Sequence, residues 1–159
     1  MTPVLDRLRE RARHRRARIV LPEVHDPRTA QARALLEQAG LAEVIWVADP
    51  ATDPRFAEVA RHIHARRKHK GVDEAGAARL ARDPNWFGAS LVALGHADAG
   101  VTGASHATAD VIRAGLGCLG TQGDVPLVSS MFLMTWCSFF LSSRCEDRKS
   151  TRLNSSHRT

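Results

Sequence analysis

Residues 17–48, with the sequence ARIVLPEVHDPRTAQARALLEQAGLAEVIWVA, decide the fold class of this chain. A short apolar run at 17–22 predicts a buried strand, and the run at 43–48 predicts a second one. Between them, residues 28–38 have the pattern of a helix that ends at Gly40, because glycine most easily takes the left-handed conformation there. A strand, a helix and a strand at this spacing predict a βαβ unit and a parallel sheet.

The rest of the chain extends this α/β pattern on both sides. Upstream, a narrow apolar stripe predicts an arginine-rich helix over residues 3–16. Downstream, the spacing of apolar residues predicts further helices over 54–70, 73–82, 84–94 and 108–116, and strands over 99–103 and 126–134. We therefore expect an α/β protein without internal repeats.

Composition and charge narrow the class of protein. The chain has 159 residues, of which 43% are hydrophobic and 25% charged, as is typical of one globular domain. The net charge of +6 comes from the two ends: residues 1–18 carry seven arginines against two acidic residues, and residues 144–159 carry five basic residues against two. The middle of the chain is slightly acidic, which argues against a nucleic-acid interface.

The termini and the cysteines predict a location. Charged residues interrupt the N-terminus from position 6 onward, so the sequence lacks the apolar region of a secretory signal. The most apolar run, Met131–Leu141, is eleven residues long, and a membrane-spanning helix needs ~20. The spacings of Cys118, Cys137 and Cys145 suggest no disulfide framework. We expect a cytoplasmic protein that does not associate with membranes, and a buried strand within 131–141.

The first candidate functional segment is Arg67-Lys-His-Lys-Gly71, at the end of a predicted helix. Cations near a helix C-terminus stabilise it by ~0.3–1 kcal/mol, which accounts for the lysines. Arg67, however, lies four residues after Ile63, on the apolar face of the helix. A buried guanidinium needs an anionic partner. The sequence leaves open whether this partner is a bound anion or a carboxylate of the core.

The second candidate is the segment 101–110, in which small and hydroxyl-bearing residues leave a strand and enter a helix at Thr108. Backbone N–H groups at such a junction can hold a phosphate or a carboxylate. Arg113 follows about one turn later, and helical side chains lean toward the N-terminus, so its guanidinium can reach the same anion. The alternative is an ordinary capped helix with a solvated arginine.

Other reactive side chains form no set that predicts a mechanism. His62 and His64 point to different sides of a helix, and no cysteine lies at ligand spacing, so we expect no metal. Asp98 and Asp110 are interpreted as a strand-end carboxylate and a first-turn carboxylate rather than general bases. The sequence therefore assigns no catalytic residue.

Taken in order, several motifs resemble the phosphate acetyl/butyryl transferase family, and within it the bacterial phosphate acetyltransferases. The motifs are Arg18-Ile-Val-Leu-Pro-Glu23, Asp26-Pro-Arg28, Arg67-Lys-His-Lys-Gly71, Trp86-Phe-Gly88, Gly103-Ala-Ser-His106, Thr108-Ala-Asp110, Arg113 and Val128-Ser-Ser130. The sequence departs from the family's usual residues at Val24, His25, Ala107 and Ala114. The loss of a serine hydroxyl at position 107 predicts weaker phosphate binding.

This resemblance implies transfer of an acetyl group between acetyl phosphate and coenzyme A, which are small-molecule substrates rather than cofactors. It implies a three-layer α/β fold with a parallel or mixed sheet of the isocitrate and isopropylmalate dehydrogenase type, and a homodimer without metal. By resemblance, Arg67 binds coenzyme A or phosphate, and Arg113 and Thr108 bind the phosphoryl group. Ser105 and His106, in the same motif, are also expected to bind substrate. Acetyl or butyryl preference stays open.

The resemblance ends near Met134, and residues 144–159 resemble translated sequencing-adapter sequence. We expect residues 1–134 to be the N-terminal part of an incomplete first domain, and residues 135–159 to be a non-native or disordered tail. In the family, a later segment carries a serine, an arginine and an aspartate that activate the thiol, so we expect the 159-residue chain to be inactive.

The alternative is a non-catalytic transferase-like module that keeps only an anion-binding or coenzyme A-binding surface, as appended to some malic enzymes. Met1, at a family-typical start, argues against that module.

Overall fold

The computed structural model of the chain describes residues 3–121. Within them, three parallel strands form a sheet in the order β2-β1-β3, comprising β1 (Arg18–Val20), β2 (Glu43–Ile45) and β3 (Ala99–Gly100). Ile19 of the central strand pairs with Val44 on one side and Ala99 on the other. The predicted βαβ unit with a parallel sheet is confirmed. The predicted strand at 126–134, the apolar run 131–141 and the tail from 135 lie outside the described residues.

Each strand is shorter than the apolar run that predicted it. Pro22, which has no N–H to donate, ends β1 early. The second strand ends at Ile45, and the 3-10 turn Pro50–Thr52 follows a few residues later. The prediction for 99–103 is wrong beyond Gly100, because the N–H of Gly103 is hydrogen-bonded to a side chain instead of a neighbouring strand.

The described part of the chain contains six helices, of which α2 packs on β2 and α5 packs on β1 and β3. They are α1 (Pro3–Arg15), α2 (Pro27–Gln38), α3 (Phe56–Arg67), α4 (Glu74–Ala81), α5 (Pro84–Ala93) and α6 (Thr108–Cys118). Asp26, Asp73 and Asp83 cap the helices that follow them through side-chain hydrogen bonds to backbone N–H groups. The basic segment after α3 is a separate 3-10 turn, Lys68–Lys70, which ends at Gly71 with φ of 80°.

The core lies where helices α3 to α6 pack on one another and α5 packs on β1 and β3. Its fully buried side chains come from these four helices and from β1; the largest are Val20, Val59, Ile63, Phe87 and Leu91. Because parallel strands end at the same edge of a sheet, the segments that follow β1 and β3 lie side by side. That edge carries the candidate site.

Candidate functional site

The carboxylate of Glu23, three residues after β1, is buried against the loop that follows β3. Its Oε2 accepts hydrogen bonds from the N–H groups of Gly103 (2.7 Å) and Ala104 (2.6 Å). Its Oε1 accepts from the N–H groups of Ser105 (2.9 Å) and His106 (3.0 Å). The same oxygen also accepts from Ser105 Oγ (3.0 Å) and from Nδ1 of His106 (2.7 Å). One side chain thus holds four consecutive backbone donors and two side-chain donors.

These donors keep Glu23 ionised. Burial by itself raises the pKa of this carboxyl, but the hydrogen bonds from His106, Ser105 and Ala104 outweigh it and hold the pKa far below its usual range. A negative charge is therefore enclosed by oriented N–H groups, with no arginine or lysine ion pair among the residues described.

A second contact ties helix α2 to the same loop. Asp26 accepts a hydrogen bond from the backbone N–H of Arg28 at 2.8 Å and forms an ion pair with its guanidinium at 2.7 Å. The guanidinium also donates to the carbonyl oxygen of Ala104. The hydrogen bond from Arg28 lowers the pKa of Asp26. The loop after β3 is therefore held from both ends of the β1–α2 connection.

Asn85, buried in the first turn of α5, is only partly satisfied. Its Oδ1 accepts a hydrogen bond from the hydroxyl of Thr102, whereas its Nδ2 has no hydrogen-bond partner within residues 3–121. The side chain borders a cavity of about 140 Å³ between α5 and α6, whose other lining groups are mostly apolar. A buried donor without a partner is unfavourable by ~1–3 kcal/mol.

The N-terminus of α6 has free backbone donors. Ala107 provides no side-chain cap, and the N–H groups of Thr108 and Ala109 make no hydrogen bond to the described part of the chain. Arg113 leans back toward this end, as predicted, but its guanidinium is exposed and pairs with Asp110 in the first turn. The predicted anion position therefore has two unused N–H groups and an arginine that already has a carboxylate neighbour.

The structure changes the expected role of the loop itself. The sequence predicts that the N–H groups of this segment bind an external anion. In the structure, the N–H groups of residues 103–106 instead donate to the carboxylate of Glu23 in the same chain. Both Ser105 Oγ and His106 Nδ1 also bond to this carboxylate, so these two atoms face the protein. Of the five predicted substrate-binding residues, three cluster at the loop and the start of α6; Arg113 is one turn further on.

Arg67, the last residue of α3, is half-buried as its position on the apolar face predicts. Its Nε is buried and makes no hydrogen bond to the residues described, and no carboxylate in that range lies within ion-pair distance. Its guanidinium carbon lies 5.8 Å from the ring centroid of Trp86, at cation–π distance. Within residues 3–121, the core ion pair that the sequence left open is thus not formed.

Trp86 connects Arg67 to helix α6. Its ring occupies the space beside the Cα of Gly117, so that a β-carbon at position 117 would overlap it. A second bridge joins the same helices, because Nε2 of His62 lies 3.0 Å from the carbonyl oxygen of Cys118. Arg113 is one helical turn before Gly117 and lies on the same side of α6. Both candidate arginines therefore belong to helices held together through Trp86.

The two aspartates singled out in the sequence, Asp98 and Asp110, each pair with an arginine. Asp98, immediately before β3, accepts from the backbone N–H and the guanidinium of Arg18, each at 2.8 Å. The Arg18 hydrogen bond lowers the pKa of Asp98 to about 2. Asp110 lies in the first turn of α6, so both aspartates occupy the structural positions that the sequence predicts. Residues 68–70 are exposed.

Two classes of feature are not found in the described range. Residues 3–121 contain no group of three or more histidine, cysteine or acidic side chains placed to hold a metal ion. None of the helices from α1 to α6 is long and apolar enough to cross a bilayer.

Sequence reasoning missed three residues of this region as site candidates: Glu23, Asn85 and Trp86. A signal existed for Glu23, because an acidic residue directly after a buried parallel strand lies at the sheet edge where such folds bind ligands. Asn85 directly follows the proline of an Asp-Pro helix start, a position at which a polar side chain can turn into the core. The apolar pattern does not distinguish Trp86 from an ordinary core aromatic residue, and only the motif Trp86-Phe-Gly88 singles it out.

The chain is similar to proteins of known family. Residues 3–147 match the family described as phosphate acetyl/butaryl transferase. A phosphate acetyltransferase of Paracoccus denitrificans is 41% identical, and the match covers 84% of this chain and 45% of the relative. A phosphate acetyltransferase of Treponema pallidum is 33% identical over 82% of this chain and 46% of the relative. The chain thus spans a little under half the length of these relatives.

Solved structures agree with the sequence matches. A phosphotransacetylase from Streptococcus pyogenes superposes with a TM-score of 0.69 and 30% identity, covering 74% of this chain and 43% of that protein. The EutD phosphotransacetylase from Staphylococcus aureus gives a TM-score of 0.62 at 30% identity, covering 78% and 44%. The small parallel sheet and its helices are therefore similar to part of a phosphotransacetylase.

Proposed function

The chain belongs to the phosphate acetyl/butaryl transferase family, and on that basis we propose that it forms the anion-binding part of an enzyme that transfers an acetyl group between acetyl phosphate and coenzyme A. In this proposal the chain's own residues bind and orient the anionic groups of both substrates. The residues that deprotonate the thiol belong to the part of the relatives that this chain does not span.

The observation that carries the proposal is the state of Arg67. A guanidinium whose Nε is buried without a hydrogen-bond partner among residues 3–121 is unfavourable unless a ligand provides an acceptor. Coenzyme A carries a pyrophosphate and a sugar phosphate, which match the bidentate geometry of arginine. The ring of Trp86 fixes the direction of the side chain, so that less conformational entropy is lost when the anion binds.

The phosphoryl group of acetyl phosphate belongs, in the same proposal, at the start of α6. The N–H groups of Thr108 and Ala109, which bond to none of residues 3–121, are donors for a phosphate at this helix N-terminus. Arg113 exchanges the carboxylate of Asp110 for the phosphate when the substrate binds, because a doubly charged anion competes well with an exposed ion pair. Ser105 and His106 support this position from the loop.

Three further features belong to the proposal. They are a complete fold of the isocitrate and isopropylmalate dehydrogenase type, a homodimer in the full-length enzyme, and a cytoplasmic location. The 159-residue chain by itself binds the substrates but does not catalyse transfer, because general-base removal of the thiol proton contributes typically 10²–10⁴-fold and a cleft with one wall missing also loses positioning.

Calorimetric titration of the 159-residue chain with coenzyme A tests the proposal. We expect measurable binding that Arg67→Ala weakens by roughly tenfold or more, because a hydrogen bond to a charged group contributes ~1.5–3 kcal/mol. The matched control is Arg61→Ala, which removes an exposed arginine of the same helix and should change affinity less than twofold. Equal affinity of the wild-type chain and Arg67→Ala would contradict the role of Arg67.

A parallel assay of acetyl coenzyme A formation tests the inactivity. The purified chain should show no formation above the uncatalysed rate. Turnover at an ordinary enzymatic rate would show that residues of this chain suffice for the chemistry.

A further inference from the structure

The Glu23 carboxylate determines the proton position on His106. An ionised carboxylate only accepts hydrogen bonds, so Nδ1 of His106, at 2.7 Å from Oε1, carries the proton that forms this contact. The neutral ring is therefore the Nδ1–H tautomer, and its Nε2 has a free lone pair. Nε2 makes no hydrogen bond to residues 3–121, while the imidazole is partly exposed.

The backbone contacts show that this geometry is fixed. The side chain of Glu23 is 2% exposed, and its two oxygens also accept from every N–H group of residues 103–106. The carboxylate therefore fixes the conformation of the loop, and both the backbone N–H and the ring of His106 are bonded to it. A carboxylate that orients a histidine in this way is a general device for making one ring nitrogen available to a ligand.

We propose that Glu23 is a positioning residue that presents Nε2 of His106 to the phosphate group bound two residues further on, at the start of α6. When the ring is neutral, Nε2 accepts a hydrogen bond from the hydroxyl of a monoprotonated phosphate. When the ring is protonated, Nε2 donates to a phosphate oxygen, and Glu23 balances the charge of the imidazolium. This inference rests on the proposed function, because that function places a phosphate at this end of the helix.

The first test is spectroscopic and needs no ligand. In the ¹⁵N-histidine-labelled chain at pH 8, His106 should show a protonated Nδ1 and an unprotonated Nε2, with its signals assigned by their loss in His106→Asn. Glu23→Ala removes the oxygen to which Nδ1 donates, so His106 should no longer be held as the Nδ1–H tautomer. The control Glu58→Gln changes a carboxylate that contacts Nε2 of His96 at 2.8 Å and should leave His106 unchanged. A neutral wild-type ring that carries its proton on Nε2 and none on Nδ1 would overturn the inference.

The second test adds inorganic phosphate to the same sample. We expect the Nε2 signal of His106 to shift together with the N–H signals of Thr108 and Ala109, and His106→Asn to weaken phosphate binding roughly tenfold. If Thr108 and Ala109 respond while Nε2 does not, the inference is wrong and the proposed function stands. If none of them responds, the phosphate position itself is wrong. Should Glu23→Ala fail to fold, the tautomer of the wild-type ring and the phosphate affinity of His106→Asn, a change at a partly exposed side chain, still test the inference.

Discussion

The indole ring of Trp86 occupies the space beside Gly117 that a side chain at position 117 would need. This contact joins the start of α5 to the last turn of α6, and Arg67 of α3 lies over the same ring. The glycine is therefore required by close packing, since its backbone is ordinary helix. The two helices that carry the candidate arginines, α3 and α6, thus both contact the Trp86 ring of α5.

Two glycines of α6 provide a matched test of this packing. Gly117→Ala should lower the free energy of unfolding by ~1–3 kcal/mol, because the new methyl group overlaps the Trp86 ring. Gly115→Ala meets no atom of residues 3–121 within 4 Å and should raise the free energy of unfolding by up to ~1 kcal/mol through helix propensity. Urea unfolding of both variants measures the difference. Equal effects of the two substitutions would show that Trp86 does not pack as described.

Removal of the Glu23 carboxylate should destabilise the chain strongly. Glu23→Ala removes the shared acceptor of four consecutive, partly buried N–H groups, so we expect a loss of about 2–4 kcal/mol at pH 7. The control Glu37→Ala removes an exposed carboxylate paired with Arg33 and should change stability by less than ~0.5 kcal/mol.

The stability difference between wild type and Glu23→Ala should also depend on pH. Hydrogen bonds from the loop lower the pKa of Glu23 below its unfolded value of ~4.3. Its contribution is therefore complete above about pH 4.3 and is lost as the pH falls through the pKa of the folded state. The stability difference between wild type and Glu23→Ala should narrow on acidification below pH 4. A difference that widens there would contradict the ionised state of Glu23.

The Arg18–Asp98 pair makes a separate prediction. Hydrogen bonds from Arg18 lower the pKa of Asp98 to about 2, so its stabilisation is present above the ordinary aspartate pKa of ~3.9 and is lost as the pH falls through about 2. Arg18→Gln should raise the Asp98 pKa only part of the way to ~3.9, because the backbone N–H of residue 18 still donates at 2.8 Å.

Carboxyl carbon NMR shifts of Asp98 follow this titration directly. Arg33→Gln, which removes an arginine paired with Glu37, should leave the Asp98 pKa unchanged. If the pKa of Asp98 is unaltered in Arg18→Gln, the backbone N–H of residue 18 alone lowers it, and the prediction is wrong.

Local patterns predicted the elements of the fold well. Glycine and Asp-Pro signals placed the ends of α2 and α5 within about two residues, and the position of Arg67 on an apolar face predicted its partial burial. The family predicted from the ordered motifs is confirmed by the match over residues 3–147.

The site was harder to predict, because its contacts join residues far apart in the chain. Glu23 and His106 are separated by 83 positions, and only the parallel arrangement of β1 and β3 brings them together. The sequence shows that the 103–106 segment offers N–H donors, but it does not show that a carboxylate of the same chain uses them. The contact between Arg67 and Trp86 likewise depends on how the helices pack.

The most direct measurement is steady-state kinetics of a chimaera in which residues 1–121 of this chain replace the corresponding segment of the Paracoccus denitrificans relative. Arg113→Ala should lower the specificity constant for acetyl phosphate tenfold or more and affect coenzyme A much less, and Arg113→Lys should restore only part of it, because an ammonium lacks the planar fork. Arg67→Ala should act mainly on coenzyme A. Small and equal effects of both alanine substitutions on the two substrates, at unchanged unfolding stability, would contradict the account.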